Sequence, residues 1–329
     1  MKTLLITGGG GFLGTHLIER ILSEENAQIV AVDNGKSIGG IFYKHPKVEF
    51  IEDDICNPAL YEKLSKYQFD GIYHLAAQSA GESSYDNPQY DLLTNSYGTY
   101  LMANFAKKNG AKRFIYSSTV AVYGNSASGL TKEDAAIKPD SIYGVSKYSG
   151  ELFVRQILEK SDCEYSVFRV FNTFGPGENL NYLKKGMVSI YASYIWRDQP
   201  VQVKGSLERY RDLTYIDDCI EALYRSYDRS STYGQTYNLS SGVKTLIKDL
   251  VALMVEVAGK PKDYPVEELP STPGDSFGFH ASIEKMCKDL EWEPKVSLRE
   301  GLEKYFEWIQ SIPVTDDLSS HHPLARKYQ

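Results

Sequence analysis

Apolar residues in the first half of the chain come in short runs separated by amphipathic stretches. The runs "TLLIT" (3–7), "QIVAV" (28–32), "VEFIE" (48–52), "GIYHL" (71–75), "RFIYS" (113–117) and "YSVFRV" (165–170) are rich in β-branched and aromatic residues. They are too short for helices and read as buried strands. Between most of them the spacing of apolar positions predicts helices near 12–24, 58–66, 88–109 and 141–160. Strand and helix in alternation predict an α/β fold with a doubly wound parallel sheet.

After Asn172 the pattern changes. "FGPGENLN" is a turn-rich break, and a helical stretch at 186–197, a short "VQV" strand and the "TYIDDCIEALYRSY" helix no longer follow a clean repeat. From about 236 come a strand, a helix (245–258), a proline-rich crossing (261–273) and two further helices (282–290, 298–311). The expected division is a first domain over 1–171, with 213–235 packing back on it, and a smaller α/β lobe over most of 172–329. The tail "DDLSSHHPLARKYQ" has little periodicity and is expected to be loosely ordered.

Composition narrows the function classes. With 329 residues, 42% of them hydrophobic, the chain can bury a large core. A net charge of −7 without a run of Lys or Arg removes the footprint of a nucleic-acid partner or an anionic membrane. No apolar stretch approaches the roughly 20 residues of a membrane span. Cys56, Cys163, Cys219 and Cys287 form no metal-binding or disulfide pattern, so no metal is expected, and reduced cysteines point to a cytoplasmic protein.

The chemistry begins at "TGGGGFLG" (7–14), directly after the first strand and opening a helix. Glycines at 8, 11 and 14 let the backbone turn and approach a pyrophosphate. That group then meets the free N–H groups at the helix start, including those of Phe12 and Leu13. Asp33 ends the second strand, where a carboxylate accepts from both adenosine-ribose hydroxyls and repels a 2′-phosphate. NAD is therefore the expected cofactor, on a Rossmann-type sheet.

With "YGVSK" (143–147), these residues resemble the extended short-chain dehydrogenase/reductases, in particular the NAD-dependent nucleotide-sugar epimerase/dehydratase group. The resemblance runs over about 2–311. It places Asn34, Asp54 and Ile55 beside the adenosine, Leu75, Ala76 and Ala77 under the cofactor, and Asn95 near the reacting centre. "SSTVAVYG", "FRVFNTFGPG" and "RDLTYIDD" complete the series. It further implies a nucleotide-diphosphate sugar as substrate, and a homodimer joined through the helices at 88–109 and 141–160.

Oxidising a sugar hydroxyl needs a base, and tyrosine with a pKa near 10 is a poor one at pH 7. Lys147, four residues after Tyr143, shares its helix face and, together with a positively charged nicotinamide ring, is expected to lower that pKa. By resemblance, Lys147 also holds the nicotinamide ribose, and Thr119 hydrogen-bonds the reacting oxygen. Family 4,6-dehydratases carry Asp-Glu after this threonine. Here Val120 and Ala121 stand there, which disfavours that elimination.

Members acting on a sugar carboxylate commonly present an arginine after "HLAA" or before "PGD". This chain has Gly81-Glu82 and Thr272, so a uronate is disfavoured and one pyrophosphate contact is in doubt. The remaining expected substrate contacts are Glu82, Asn172, Arg211 and Asp275. Glu82 is open between a substrate or proton-transfer group and a solvated acid. The leading expectation is an NDP-sugar 4-epimerase; a 4-dehydrogenase, 4-ketoreductase or different dehydratase, and a non-catalytic NAD-binding protein, are the alternatives.

Overall fold

The computed structural model describes residues 1–36, 45–126, 129–272 and 276–312. Its first half follows the expected alternation: β1 (Lys2–Thr7), α1 (Phe12–Glu24), β2 (Ala27–Asp33), β3 (Val48–Glu52), α2 (Pro58–Leu64) and β4 (Gly71–His74). The short helices α3 (Gly81–Asp86) and α4 (Pro88–Asp91) then lead through a π-helical turn (Leu92–Gly98) into α5 (Thr99–Asn109) and β5 (Arg113–Thr119). After β6 (Leu130–Thr131) come α6 (Ile142–Leu158) and β7 (Glu164–Val170).

The remainder contains β8 (Asn172–Phe174), α7 (Met187–Trp196), β9 (Val201–Lys204), β10 (Tyr210–Tyr215), α8 (Ile216–Ser226), β11 (Gln235–Leu239) and β12 (Lys244–Leu246). It ends with α9 (Ile247–Val257), β13 (Val266–Leu269), β14 (His280–Ala281), α10 (Glu284–Leu290) and α11 (Leu298–Gln310). The C-terminal tail read from the sequence lies outside the described residues.

Seven strands form one sheet in the order β11-β7-β5-β4-β1-β2-β3, and every neighbouring pair is parallel. Side chains on β1 alternate between its two faces. Leu4 and Ile6 join the core that holds α1 and α8, while Leu5 joins the core of α2, α5 and α6. Burial on both faces explains the unbroken apolar runs. The order reverses between β1 and β4, so the crevice beyond the strand ends there is the natural ligand site. β11, expected in the second lobe, instead closes the edge of this sheet beside β7.

The helix expected over 88–109 is three pieces, because the π turn intervenes. A three-stranded sheet β12-β10-β8 and the parallel pair β13-β9 stand apart from the main sheet. Among the described residues no helix is long and apolar enough to cross a membrane.

Candidate active site

The glycine loop lies against the end of β4. Gly8 has φ +71°, and a Cβ there would stand 2.7 Å from the Ala76 nitrogen. At Gly14 a Cβ would be 2.1 Å from the Gly8 carbonyl, and at Gly11 3.2 Å from the same oxygen. Gly9, not singled out from the sequence, is as tight: its Cβ would meet that of Ala31 at 2.8 Å. Gly11 caps α1 without a side-chain hydrogen bond, leaving the first-turn N–H groups, those of Phe12 and Leu13 included, for another acceptor. A backbone cradle at a helix start fits a pyrophosphate.

Asp33 borders this cradle, buried at 7% exposure. Its Oδ2 accepts from Gly10 N at 3.0 Å and its Oδ1 from Gly35 N at 2.9 Å. Burial raises its pKa while those amides pull it down. Each oxygen keeps acceptor capacity for a ribose hydroxyl. Asn34 Nδ2 donates to Asp54 Oδ2 at 3.1 Å, whereas Ile55 is core, packed on Gly98. The Ile55 carbonyl accepts from the Tyr61 hydroxyl at 2.7 Å. Leu75 and Ala76 pair with Thr7, whose hydroxyl accepts from Ala76 N at 3.3 Å, and Ala77 follows half-buried.

Asn95 is fully buried and turned into the site by the π turn. Its Oδ1 accepts from Gln78 N at 2.9 Å, and its Nδ2 donates to Gln78 O, Asp91 Oδ1 and Ser146 Oγ, each at 3.0 Å. It therefore ties the loop after β4 to α6.

Thr119 ends β5 and Tyr143 opens α6, and the Thr119 hydroxyl lies near enough to the Tyr143 phenol to favour its ionised form. Two local features bring them together. Ser141 caps α6 by accepting from Gly144 N at 3.0 Å, and a Cβ on Gly144 would lie 2.5 Å from the Ala121 carbonyl. Lys147 is 2% exposed, and its Nζ donates to Ser117 O at 2.6 Å above the Tyr116 ring.

The electrostatics correct one expectation. The Tyr143 phenol is not lowered but pushed up to about 12, because burial penalises the phenolate and Asp91 adds to this, against the Thr119 hydroxyl. Burial also brings the Lys147 ammonium down to about 7, opposed by Glu151 and Asp91. A lysine only partly charged at neutral pH is a weak counter-charge.

On the substrate side, Arg211 is 6% exposed and its Nη1 donates to Tyr210 O at 2.8 Å and Phe277 O at 3.3 Å. Burial, and then the neighbouring Arg209, lower it to about 10. It forms no surface pair with Asp212, which is itself fully buried and accepts from Ser241 and Ala281. Asn172 lies on β8, paired with Leu213 of the strand that carries Arg211, and its Nδ2 reaches Asp212 O at 3.5 Å. Asp275 lies outside the described residues.

Glu82 is not a lone solvated acid but a partly exposed, paired one: both its oxygens lie 2.9 Å from Lys204 Nζ. The argument that it repels a sugar carboxylate therefore fails, since Lys204 offsets its charge. Lys184 similarly pairs with Asp86 at 2.6 Å. Sequence reasoning also missed Glu178, whose carboxyl burial raises to about 7. Asp91 was missed too, although its i,i+4 spacing to Asn95 was a readable signal. No group of three His, Cys, Asp or Glu side chains suited to a metal occurs among the described residues.

A family model described as GDP-mannose 4,6 dehydratase matches residues 5–305. The chain is 29% identical to the UDP-glucose 4-epimerase of Mycolicibacterium smegmatis, over 94% of this chain and 99% of the relative. It is 30% identical to UDP-glucuronic acid decarboxylase 6 of Arabidopsis thaliana, over 91% and 86%. Among solved structures, the Thermotoga maritima UDP-glucose 4-epimerase with UDP-glucose superposes with a TM-score of 0.87 at 30% identity, covering 94% of this chain and 99% of that one. The Bacillus cereus UDP-glucuronic acid 4-epimerase, in complex with UDP-glucuronic acid and NAD, gives 0.84 at 27%, with the same coverage. The chain thus belongs to the nucleotide-sugar epimerase/dehydratase family of extended short-chain dehydrogenase/reductases, with NAD as its cofactor.

Proposed function

We propose that this protein is an NDP-sugar 4-epimerase. The observation that carries the reading is the Thr119–Tyr143 pair where β5 meets α6, followed by a turn without a proton-transfer group. Val120 is buried, and Ala121 offers only its amide, which donates to Thr119 Oγ1 at 3.2 Å. An elimination needs an acid and a base there; an epimerisation does not.

The glycine cradle holds the pyrophosphate of NAD, Asp33 the adenosine ribose and Lys147 the nicotinamide ribose. NAD held there would supply the hydride acceptor and donor, and its positive ring the pull toward a phenolate that the partly charged Lys147 supplies only weakly. Tyr143 takes the proton of the C4 hydroxyl while Thr119 holds the same oxygen, and it returns that proton after the 4-keto sugar has turned over. Arg211 and Asn172 grip the diphosphate, Arg211 through its bidentate donors.

A second reading, an enzyme acting on a UDP-uronate, rests on the Glu82–Lys204 pair, which offsets the charge at the loop where a carboxylate was expected to be repelled. Incubation with UDP-, dTDP-, CDP- and GDP-sugars without added cofactor, followed by NMR and by absorbance of NADH, separates the readings. A C4-inverted sugar without lasting NADH supports the epimerase. Loss of the carboxylate from UDP-glucuronic acid, or stoichiometric NADH with a keto-sugar, overturns it.

We also propose a cytoplasmic homodimer. Leu93, Tyr97 and Tyr100 of the π turn and α5, with Val145, Leu152 and Phe153 of α6, form one exposed apolar face. Sedimentation should give twice the chain mass, and Phe153→Glu should halve it; a monomeric native protein removes this assignment.

A further inference from the structure

Asp91 closes α4 where the chain enters the π turn, and it is fully buried. Its Oδ1 accepts from Ser146 Oγ at 2.7 Å and from Asn95 Nδ2 at 3.0 Å. The other oxygen, Oδ2, is buried with no hydrogen-bond partner. An unmet carboxylate oxygen in the interior is costly, and replacing the acid by an apolar residue would remove that cost. Ser146 lies between Tyr143 and Lys147, and Asn95 carries the same network to Gln78. Asp91 is thus bonded directly to the turn of α6 that bears the reactive pair.

The charges around this pair are otherwise accounted for. On α6, Glu151 is neutralised by Arg169 at 2.8 Å. On β4, His74 is driven down to about 3 by burial and then by Lys147, and is neutral. On β5, Tyr116 presents its ring to Lys147 at 4.4 Å, and Thr119 brings only an uncharged hydroxyl to Tyr143. Glu151 acts on Lys147 alone, whereas Asp91 acts on both Lys147 and Tyr143.

We propose that Asp91 is a positioning residue for the reaction: through Ser146 it fixes the helical turn carrying Tyr143 and Lys147, and its carboxylate sets the charge that both of them face. The kinetic part rests on Tyr143 being the base. Removing a nearby negative charge makes each group lose its proton more readily. Substituting Asp91→Asn keeps an acceptor for Ser146 and removes the charge, whereas Ser146→Ala keeps the charge and removes the link.

Two readouts test this in the NAD-loaded enzyme. In NMR titrations with ε-13C-lysine, the Lys147 resonance, assigned by its loss in Lys147→Arg, should titrate at lower pH in Asp91→Asn by about half a unit or more. The ascending limb of kcat/KM with pH should move the same way. Ser146→Ala should lower kcat about tenfold without moving the limb, since it disturbs alignment only. An unmoved Lys147 titration in a folded Asp91→Asn protein, or an unchanged kcat in Ser146→Ala, overturns the proposal. Should Asp91→Asn not fold, the Ser146→Ala result still decides. Were Tyr143→Phe to retain turnover, the base assignment would fall while the lysine titration continued to test Asp91.

Discussion

At the scale of single residues, the reactive tyrosine and lysine were identifiable from "YGVSK", but the sign of their electrostatics was not. A spacing of four residues places both on one helix face; it does not say how much solvent each charge loses. Burial takes Lys147 from an ordinary amine to about 7 in the folded protein. The unfolded chain therefore binds more protons than the folded one between about pH 7 and pH 10. The stability penalty from this lysine is full below the folded value and is relieved as pH rises toward the unfolded one. Relative to Lys147→Met, which titrates nothing there, the urea midpoint of the NAD-free wild type should climb from about pH 7 to about pH 10. A difference independent of pH would show that Lys147 is not desolvated in the resting site.

At the scale of elements, the site depends on how closely α6 approaches the end of β5. Gly144 permits this, because any side chain there would meet the Ala121 carbonyl, which is backbone and cannot swing aside. Gly144→Ala should push α6 outward, part Thr119 from Tyr143 and lower kcat about a hundredfold, while NAD affinity, set mainly at the glycine loop, changes far less. Equal losses of both would mean that α6 also shapes the cofactor cradle. The strands, α1 and α6 were legible because their cores are periodic and their neighbours in sequence are neighbours in space. The π turn was not, since propensity carries no information about the extra residue that swings Asn95 inward. β11 was legible as a strand but not as a member of this sheet, because its partner β7 lies some seventy residues earlier and nothing local marks it as a sheet edge. The Glu82 pairing was equally hidden, as its cation is supplied from β9.

At the scale of the whole molecule, the loop and helix after β4 meet the second half of the chain through a row of polar contacts. Glu82 pairs with Lys204 of β9, Ser83 Oγ lies 2.5 Å from the Tyr182 hydroxyl, and Asp86 pairs with Lys184. Each half supplies one charge of the Glu82–Lys204 pair, so its net field depends on both being present. Lys204→Ala leaves Glu82 as an uncompensated anion and should raise KM for UDP-glucuronic acid relative to UDP-glucose. Glu82→Gln leaves the cation and should shift the same ratio in the opposite direction. Both side chains are partly solvated, at 43% and 29% exposure, so screening keeps each effect to about two- to fivefold, and 0.5 M salt should shrink it. Opposite shifts would place the pair within electrostatic reach of the sugar's C6 group. Shifts of the same sign for both variants would instead mean that the pair acts by holding the two halves together, and that discrimination between neutral and acidic sugars is made elsewhere in the pocket.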